Sequence, residues 1–372
     1  MIIQLHKWQQ EALNIWQSKG FGTIEAATAT GKTKLAIAAI KENKTSTIIV
    51  VPTEHLMMQW KKELLDAGCP ENLIGLYNGK HKQIERKYVI GVINSLIKTY
   101  FNVGLLVLDE CHKYSSPTFK QILDKKYSKL LALSATPERE DNMHHILLSK
   151  APVIFRYTTA QAIADGIISN YQLKEVPLFL DEKQQLLLEN LDNKIRYHFR
   201  QYDFIQTKRL VRQNNQEAIQ ALKNVQERKY LLCHNEVKIN FARELCKKLL
   251  ANNPAEKIIV FTEYIETAEA IAKDLQGAFI YHSSLTRKDK EDCLNSFKMA
   301  NNGILACVRA LDEGLNVPNC TTGIVLAGCS VKRQFQQRLG RILRLKASDA
   351  VLYQLYIANS KDEDWLIKRT RN

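Results

Sequence analysis

The 372-residue sequence lacks any apolar run able to cross a bilayer: runs such as Ile48 to Val51 fall far short of the ~20 residues a spanning helix needs. The start, Met1-Ile2-Ile3-Gln4-Leu5-His6-Lys7, has no charged lead, long apolar stretch and small-residue cleavage site. No secretory signal is therefore read, and an intracellular protein, cytoplasmic or nuclear, is expected, with no membrane partner. Eight cysteines stand at 69, 111, 233, 246, 293, 307, 320 and 329 without a C-x-x-C pair or metal-ligand spacing, so they are read as reduced thiols, mostly core. Low-complexity tracts and short-period repeats are absent. Acidic residues are the scarcer charge, 39 against 53 basic, and the resulting +14 suits a polyanionic partner bound in a salt-dependent way; solubility alone is the alternative.

What is present is ordinary globular composition, 45% hydrophobic and 25% charged, in a chain long enough for about two domains. From Thr23 to Arg156, short β-branched runs (Thr47–Val51, Tyr88–Ile93, Leu105–Leu108, Leu130–Leu133, Val153–Phe155) alternate with helical stretches. That alternation predicts a parallel sheet covered on both faces. A second set follows at Lys257–Phe261, Phe279–Tyr281, Gly303–Cys307, Gly323–Leu326 and Val351–Tyr356. Between the sets, Asp181 to Leu250 is long, charged and free of glycine and proline, which predicts a helical insertion. The expected division is 1–157 and 158–372, with the insertion at about 182–250 of the second domain.

Four features carry chemistry. The short strand Thr23-Ile24-Glu25 leads through a small-residue turn into Ala29-Thr30-Gly31-Lys32-Thr33 and then a helix, the context of a phosphate loop. There the loop amides cradle phosphates, Lys32 neutralises them and Thr33 holds magnesium. Ala26 and Ala29 occupy positions where such loops usually carry glycine. Second, the apolar strand Leu105–Leu108 runs into Asp109-Glu110-Cys111-His112, placing acids at the carboxyl edge of a sheet, where open α/β folds bind ligands. Asp109 suits the magnesium shell and Glu110 an attacking water, whereas Cys111 reads as a packed small residue and His112 as a hydrogen-bonding contact. Third, Leu130–Leu133 runs into Ser134-Ala135-Thr136-Pro137, a turn able to link the nucleotide site to the other domain. Fourth, Gln337, Arg341 and Arg344 share one helical face and offer arginine fingers toward a γ-phosphate; a cationic surface helix is the alternative.

Together these residues resemble a superfamily-two helicase over nearly the whole chain. Leu5-His6-Lys7-Trp8-Gln9 is similar to the adenine-reading Q motif, with Gln9 as its glutamine and His6 where arginine is usual. Val51-Pro52-Thr53 resembles motif Ia, Asn94-Ser95-Leu96 motif Ib, Val260-Phe261-Thr262 motif IV, Ala310 to Pro318 motif V, and Gln337 to Arg344 motif VI. Arg139-Glu140-Asp141 is similar to the RED motif of the XPB family, and the insertion falls about where that family carries a thumb-like element. Phage branch-migration helicases and restriction-type translocases share much of the set.

The resemblance implies two RecA-like domains using ATP and Mg2+ to drive a DNA helicase or translocase, 3′ to 5′. An ATP-gated nucleic-acid clamp and an RNA helicase are the other readings. Its implied catalytic residues are Lys32, Asp109, Glu110, Gln337, Arg341 and Arg344. The implied nucleotide contacts are Leu5, His6, Gln9, Ala29, Thr30, Gly31, Lys32, Thr33, Asp312 and Gly314, with metal at Thr33 and Asp109. Thr53, Asn94, Ser95, Arg139, Thr262 and Arg309 are the implied nucleic-acid contacts. The partner is DNA, single-stranded, forked or branched, with an accessory nuclease or a repair or transcription protein and a monomeric motor. Starting at the Q motif, the chain has the look of a stripped motor of viral or mobile-element origin.

Overall fold

The structure is a computed structural model that describes residues 4–139, 141–308, 320–326, 335, 338–340 and 349–370. The described residues form two compact units, the first running to Asn170 and the second starting at Tyr171.

The first unit is a seven-stranded sheet in the order β3-β4-β2-β5-β6-β1-β7, parallel at every pairing. Its strands are β1 (Phe21–Ala26), β2 (Thr47–Val51), β3 (Ile74–Tyr77), β4 (Tyr88–Val92), β5 (Asn102–Asp109), β6 (Lys126–Ser134) and β7 (Val153–Tyr157). Helix α1 (Lys7–Lys19) precedes β1, and α2 (Lys32–Asn43) and α3 (Glu54–Asp66), with the short α4 (Ile93–Leu96), α5 (His145–Leu148) and α6 (Thr159–Ala164), carry the chain onward between strands. Parallel neighbours need such crossovers, and the central strands are buried from both sides, which is why their sequences are unbroken apolar runs. Ile48, Val50, Leu106, Leu108, Leu130 and Ala132 share one core cluster. The buried Trp16 ring anchors α1 by donating from Nε1 to the Leu130 carbonyl at 2.9 Å. Strand β3 was not foreseen, because four residues interrupted by Gly75 give no readable period.

The second unit is a six-stranded sheet in the order β10-β11-β9-β12-β13-β8, again parallel throughout. The strands are β8 (Tyr171–Leu178), β9 (Lys257–Thr262), β10 (Ala278–Tyr281), β11 (Gly303–Val308), β12 (Thr322–Val325) and β13 (Ala350–Ile357). Strand β8 also escaped the sequence reading: it is an edge strand with mixed burial and Pro177 near its end, a residue tolerated only where no ladder donor is needed. The segment expected to be a helical insertion is helical: α7 (Glu182–Gln201), α8 (Phe204–Arg212), α9 (Gln216–Cys233) and α10 (Glu236–Asn252). It is not a detached appendage. Leu188 of α7, Leu232 of α9 and Ile239, Ala242 and Cys246 of α10 enter the same core as Ile258 and Val260 of β9. Thus α10 is part of the sheet's own helical layer, while the α7–α8 corner carries the exposed surface.

Each described cysteine is a buried thiol except Cys293, which is half-buried. Among the described residues no helix is long and apolar enough to cross a membrane.

Candidate functional site

In the first unit the loop after β1 turns through Ala29, at φ 65°, and Gly31, at φ 88°, before α2 begins at Lys32. Two left-handed residues in three fold the chain tightly enough to aim the amides at the start of α2 toward one point, the arrangement that binds anions. Gly31 is required there, since a Cβ would stand 2.7 Å from Gln9 Nε2. Ala29 has no such excuse and carries the strain of a left-handed L-residue. The Lys32 ammonium lies within the loop, donating to the carbonyls of Ala26 at 2.8 Å and Ala27 at 3.1 Å. The Thr30 hydroxyl closes the turn on the Ala27 carbonyl at 2.7 Å.

Gln9 is fully buried, and its carboxamide is spent within the protein. Nε2 donates to the carbonyls of Gly31, at 2.9 Å, and Thr30, at 3.3 Å, while Oε1 accepts from the His6 N–H at 2.8 Å. The side chain bolts α1 to the phosphate loop. Leu5 is half-buried and His6 exposed beside it.

The acids reach the same edge of the sheet. Between β5 and β1 lies only β6, and the registers pair Asp109 with Leu133 and Glu25 with Ser134, so the three strands end within about a residue of one another. Asp109 is 9% exposed and each carboxylate oxygen has a fixed donor: the Trp60 indole N–H to Oδ2 at 2.8 Å, and the Glu110 N–H to Oδ1 at 3.0 Å. Burial pushes this carboxyl above the ordinary aspartate range, opposed by the Trp60 hydrogen bond and the positive charge of Lys32. Hydrogen bonds of this kind to a charged group are worth ~1.5–3 kcal/mol. Trp60 was missed in the sequence because Leu56, Met57, Trp60 and Leu64 read as the buried face of an amphipathic helix, which they also are. The available signal was chemical: a buried indole N–H needs an acceptor.

Glu110 follows at φ 50°, a left-handed conformation that turns its side chain away from the strand direction. Its Oε2 lies 3.5 Å from Nδ1 of the buried His112, and that nitrogen is 3.2 Å from Ser134 Oγ, which accepts from the Thr136 N–H at 3.1 Å. The acidic turn and the Ser134-Ala135-Thr136 turn are thereby one hydrogen-bonded unit. Cys111 is wholly buried, its thiol pushed well up by burial and by Glu110 and Asp109, so it is a packing residue. Arg139 donates to the His112 carbonyl at 2.9 Å and grips Asp141 through two hydrogen bonds, of 2.9 and 2.6 Å.

Thr53, exposed Asn94 and Ser95 follow the carboxyl ends of the neighbouring strands β2 and β4. Thr53 caps α3, its hydroxyl accepting from the Leu56 N–H at 3.3 Å. Thr262, expected to face nucleic acid, is instead fully buried, with its hydroxyl set against the carbonyls of Tyr264 and Cys307. That side chain shapes the end of β9 and is unavailable to a ligand. Arg309, Asp312, Gly314, Gln337, Arg341 and Arg344 lie outside the described residues, as does Glu140.

A small-residue turn opening a helix, a lysine and a carboxylate pair at one sheet edge are the parts of a nucleoside-triphosphate site. Comparison with known proteins agrees. Residues 2–139 match the family model of the type III restriction enzyme res subunit, and residues 240–346 that of the helicase conserved C-terminal domain. The chain is 29% identical to the DNA 3′-5′ translocase XPB2 of Sulfurisphaera tokodaii over 97% of this chain and 83% of that protein. It is 23% identical to the DNA 3′-5′ helicase XPB of Mycobacterium tuberculosis over 99% of this chain, which spans 63% of that relative's length. Among solved structures, the helicase domain of Pyrococcus furiosus Hef superposes with a TM-score of 0.64 over the whole chain and 98% of its own, at 16% identity, and so shares the fold of two RecA-like domains. The two matched domains indicate a superfamily-two helicase, and the chain is similar to the DNA helicases and translocases of the XPB/Rad25 group.

Proposed function

We propose that this protein is a nucleic-acid-stimulated ATPase that moves along DNA, 3′ to 5′. The observation that carries the reading is the convergence, on one edge of the first sheet, of Lys32, Asp109 and Glu110 with the starts of α3 and α4. Hydrolysis and strand contact thereby share a rigid platform. The loop amides and Lys32 hold the β and γ phosphates, and Glu110 orients the attacking water. Thr33 and Asp109 fit magnesium: both offer hard oxygen donors, and a cation completed by phosphate and water needs few from the protein. When bound, magnesium neutralises charge developing on the phosphate oxygens. Lys32 leaves its loop carbonyls for phosphate oxygens, exchanging neutral acceptors for charged ones.

Strand contact falls to Thr53, Asn94 and Ser95 in the first unit. In the second, the α7–α8 corner exposes Tyr197, Phe204 and Ile205 together with Arg196, Arg200, Lys208 and Arg209. Aromatic rings interleaved with cations grip a strand without reading its sequence.

ATPase measured with and without DNA, alongside strand displacement on tailed, forked and four-way DNA, tests the reading. Stimulation by DNA is expected, with loss of turnover in Lys32→Ala and Glu110→Gln and a fall in kcat larger than the change in ATP affinity in Arg341→Ala. A rate indifferent to nucleic acid overturns the motor. Binding with negligible turnover replaces it by an ATP-gated clamp, and stronger stimulation by a matched RNA strand by an RNA helicase.

A further inference from the structure

We propose that Trp60 is a positioning residue for the Asp109 carboxylate, and that through it α3 carries the binding of nucleic acid to the metal site. The inference rests on the functional reading above. An ionised carboxylate has about four lone-pair directions. Two are taken here, Oδ2 by the indole and Oδ1 by the Glu110 amide, and the pair fixes the plane of the group and leaves the remaining directions for a cation and its water. The two donors differ in kind. The Glu110 amide belongs to the same strand end as Asp109 and moves with it, whereas Trp60 comes from α3 and reports the position of another element.

That element begins at Thr53, the residue placed against nucleic acid, whose hydroxyl caps the helix. From Thr53 to Trp60 is two turns, ~10 Å of continuous α-helix. The ring is 1% exposed, on the buried face with Leu56, Met57 and Leu64. A bulky group in a close-packed interior has no slack to absorb a shift of its helix. Movement at the Thr53 end therefore reaches Oδ2 of Asp109 and changes the carboxylate's orientation. Sequence pattern alone hides this, because the same residue satisfies the core.

The test uses Trp60→Phe, which keeps an aromatic ring and removes the N–H, with Mn2+ in place of Mg2+. Mn2+ binding to the protein–ADP complex is followed by electron paramagnetic resonance, with and without a single-stranded oligonucleotide. The midpoint is read from folded, ADP-bound molecules, so partial unfolding lowers signal amplitude and not apparent affinity. Trp60→Phe is expected to weaken Mn2+ binding about tenfold, as loss of an outer partner of a metal ligand does. The oligonucleotide should tighten Mn2+ binding in the wild type and have no effect in the variant. Leu64→Ala, a loss of buried side chain on the same helix, should lower the Tm and leave the Mn2+ midpoint unchanged. A wild-type midpoint in Trp60→Phe, or an equal shift in Leu64→Ala, overturns the positioning role. An oligonucleotide effect that survives in Trp60→Phe overturns the route through α3. A wild type that ignores the oligonucleotide also overturns that route and counts against the functional reading, while the ratio measured without oligonucleotide still decides the role of Trp60.

Discussion

Gln9 and Gly31 are joined by a 2.9 Å hydrogen bond from the carboxamide Nε2 to the loop carbonyl, and the other end of the same carboxamide accepts from the His6 N–H. A residue expected to read adenine is thus also the strut that fixes the phosphate loop to α1. Any contact it makes with a base must share or displace these bonds, so base recognition and loop geometry are linked at one side chain.

The first prediction concerns that strut. Gln9→Ala removes the partner of the His6 N–H and of the Thr30 carbonyl, a cost of ~1–3 kcal/mol per unsatisfied group, while the Gly31 carbonyl keeps the Lys34 N–H at 3.0 Å. Gln9→Glu keeps the acceptor for His6 but turns the donor into a carboxylate facing two carbonyls, and is expected to be no more stable than Gln9→Ala. Both should raise the KM for ATP more than they lower kcat. Thermal unfolding and steady-state kinetics check this; a Gln9→Glu protein as stable as wild type refutes the strut.

Two loop positions two residues apart, Ala29 and Gly31, should respond with opposite sign. Ala29 is left-handed at φ 65° with an exposed side chain, so Ala29→Gly removes strain of ~1–2 kcal/mol, partly offset by the greater freedom of glycine in the unfolded chain. A net gain of up to ~1 kcal/mol is expected from the denaturant midpoint. Gly31→Ala meets both a φ of 88° and a Cβ contact at 2.7 Å with Gln9 Nε2, and should destabilise the protein and raise the KM for ATP.

Much of this was legible in the sequence, for a physical reason. Strands buried on both faces must be apolar throughout, so β2, β5, β6, β9 and β11 announce themselves, and the residues at their carboxyl ends, Asp109 and Ser134 among them, are placed by that alone. Edge strands face fewer constraints, and β3 and β8 were invisible. Side-chain partners were less legible than positions. Nothing in the spacing tells that Gln9 bonds to residues 22 positions away, that Trp60 reaches Asp109, or that Thr262 points into the core. Those depend on how crossovers bring separate elements to one edge, which local pattern does not encode.

Acid should loosen the turn that follows the nucleotide site. The bidentate Arg139 pair holds the Asp141 carboxyl at about 2, below the ordinary aspartate value of ~3.9. The folded value is the depressed one, so the pair's stabilisation is complete above pH ~4 and is lost as pH falls toward 2. Asp141 is largely solvent-facing, which limits the effect to less than ~1 kcal/mol. Denaturant midpoints at pH 7 and pH 3 should therefore differ slightly less in Asp141→Asn than in wild type.

The largest stability effect is expected in the core of the second unit. In the second unit Lys238 of α10 and Asp362, on the helix Lys361–Thr370, form an ion pair with both side chains 0% exposed. The lysine also donates to the Leu326 carbonyl at 2.8 Å, just past β12, and Asp362 Oδ2 accepts from the Ile357 N–H at 2.9 Å, at the end of β13. Four elements are thus tied at one buried point. Removing one charge strands the other in a low-dielectric interior, a loss of ~3–5 kcal/mol, whereas removing both can be nearly neutral because desolvation of the pair is no longer required. Lys238→Met and Asp362→Leu should each lower the Tm by several degrees, and the double variant should recover most of that loss. The coupling energy from the double-mutant cycle distinguishes this from simple packing: additive losses would show that the two side chains act independently, and recovery that the penalty was the unpaired buried charge.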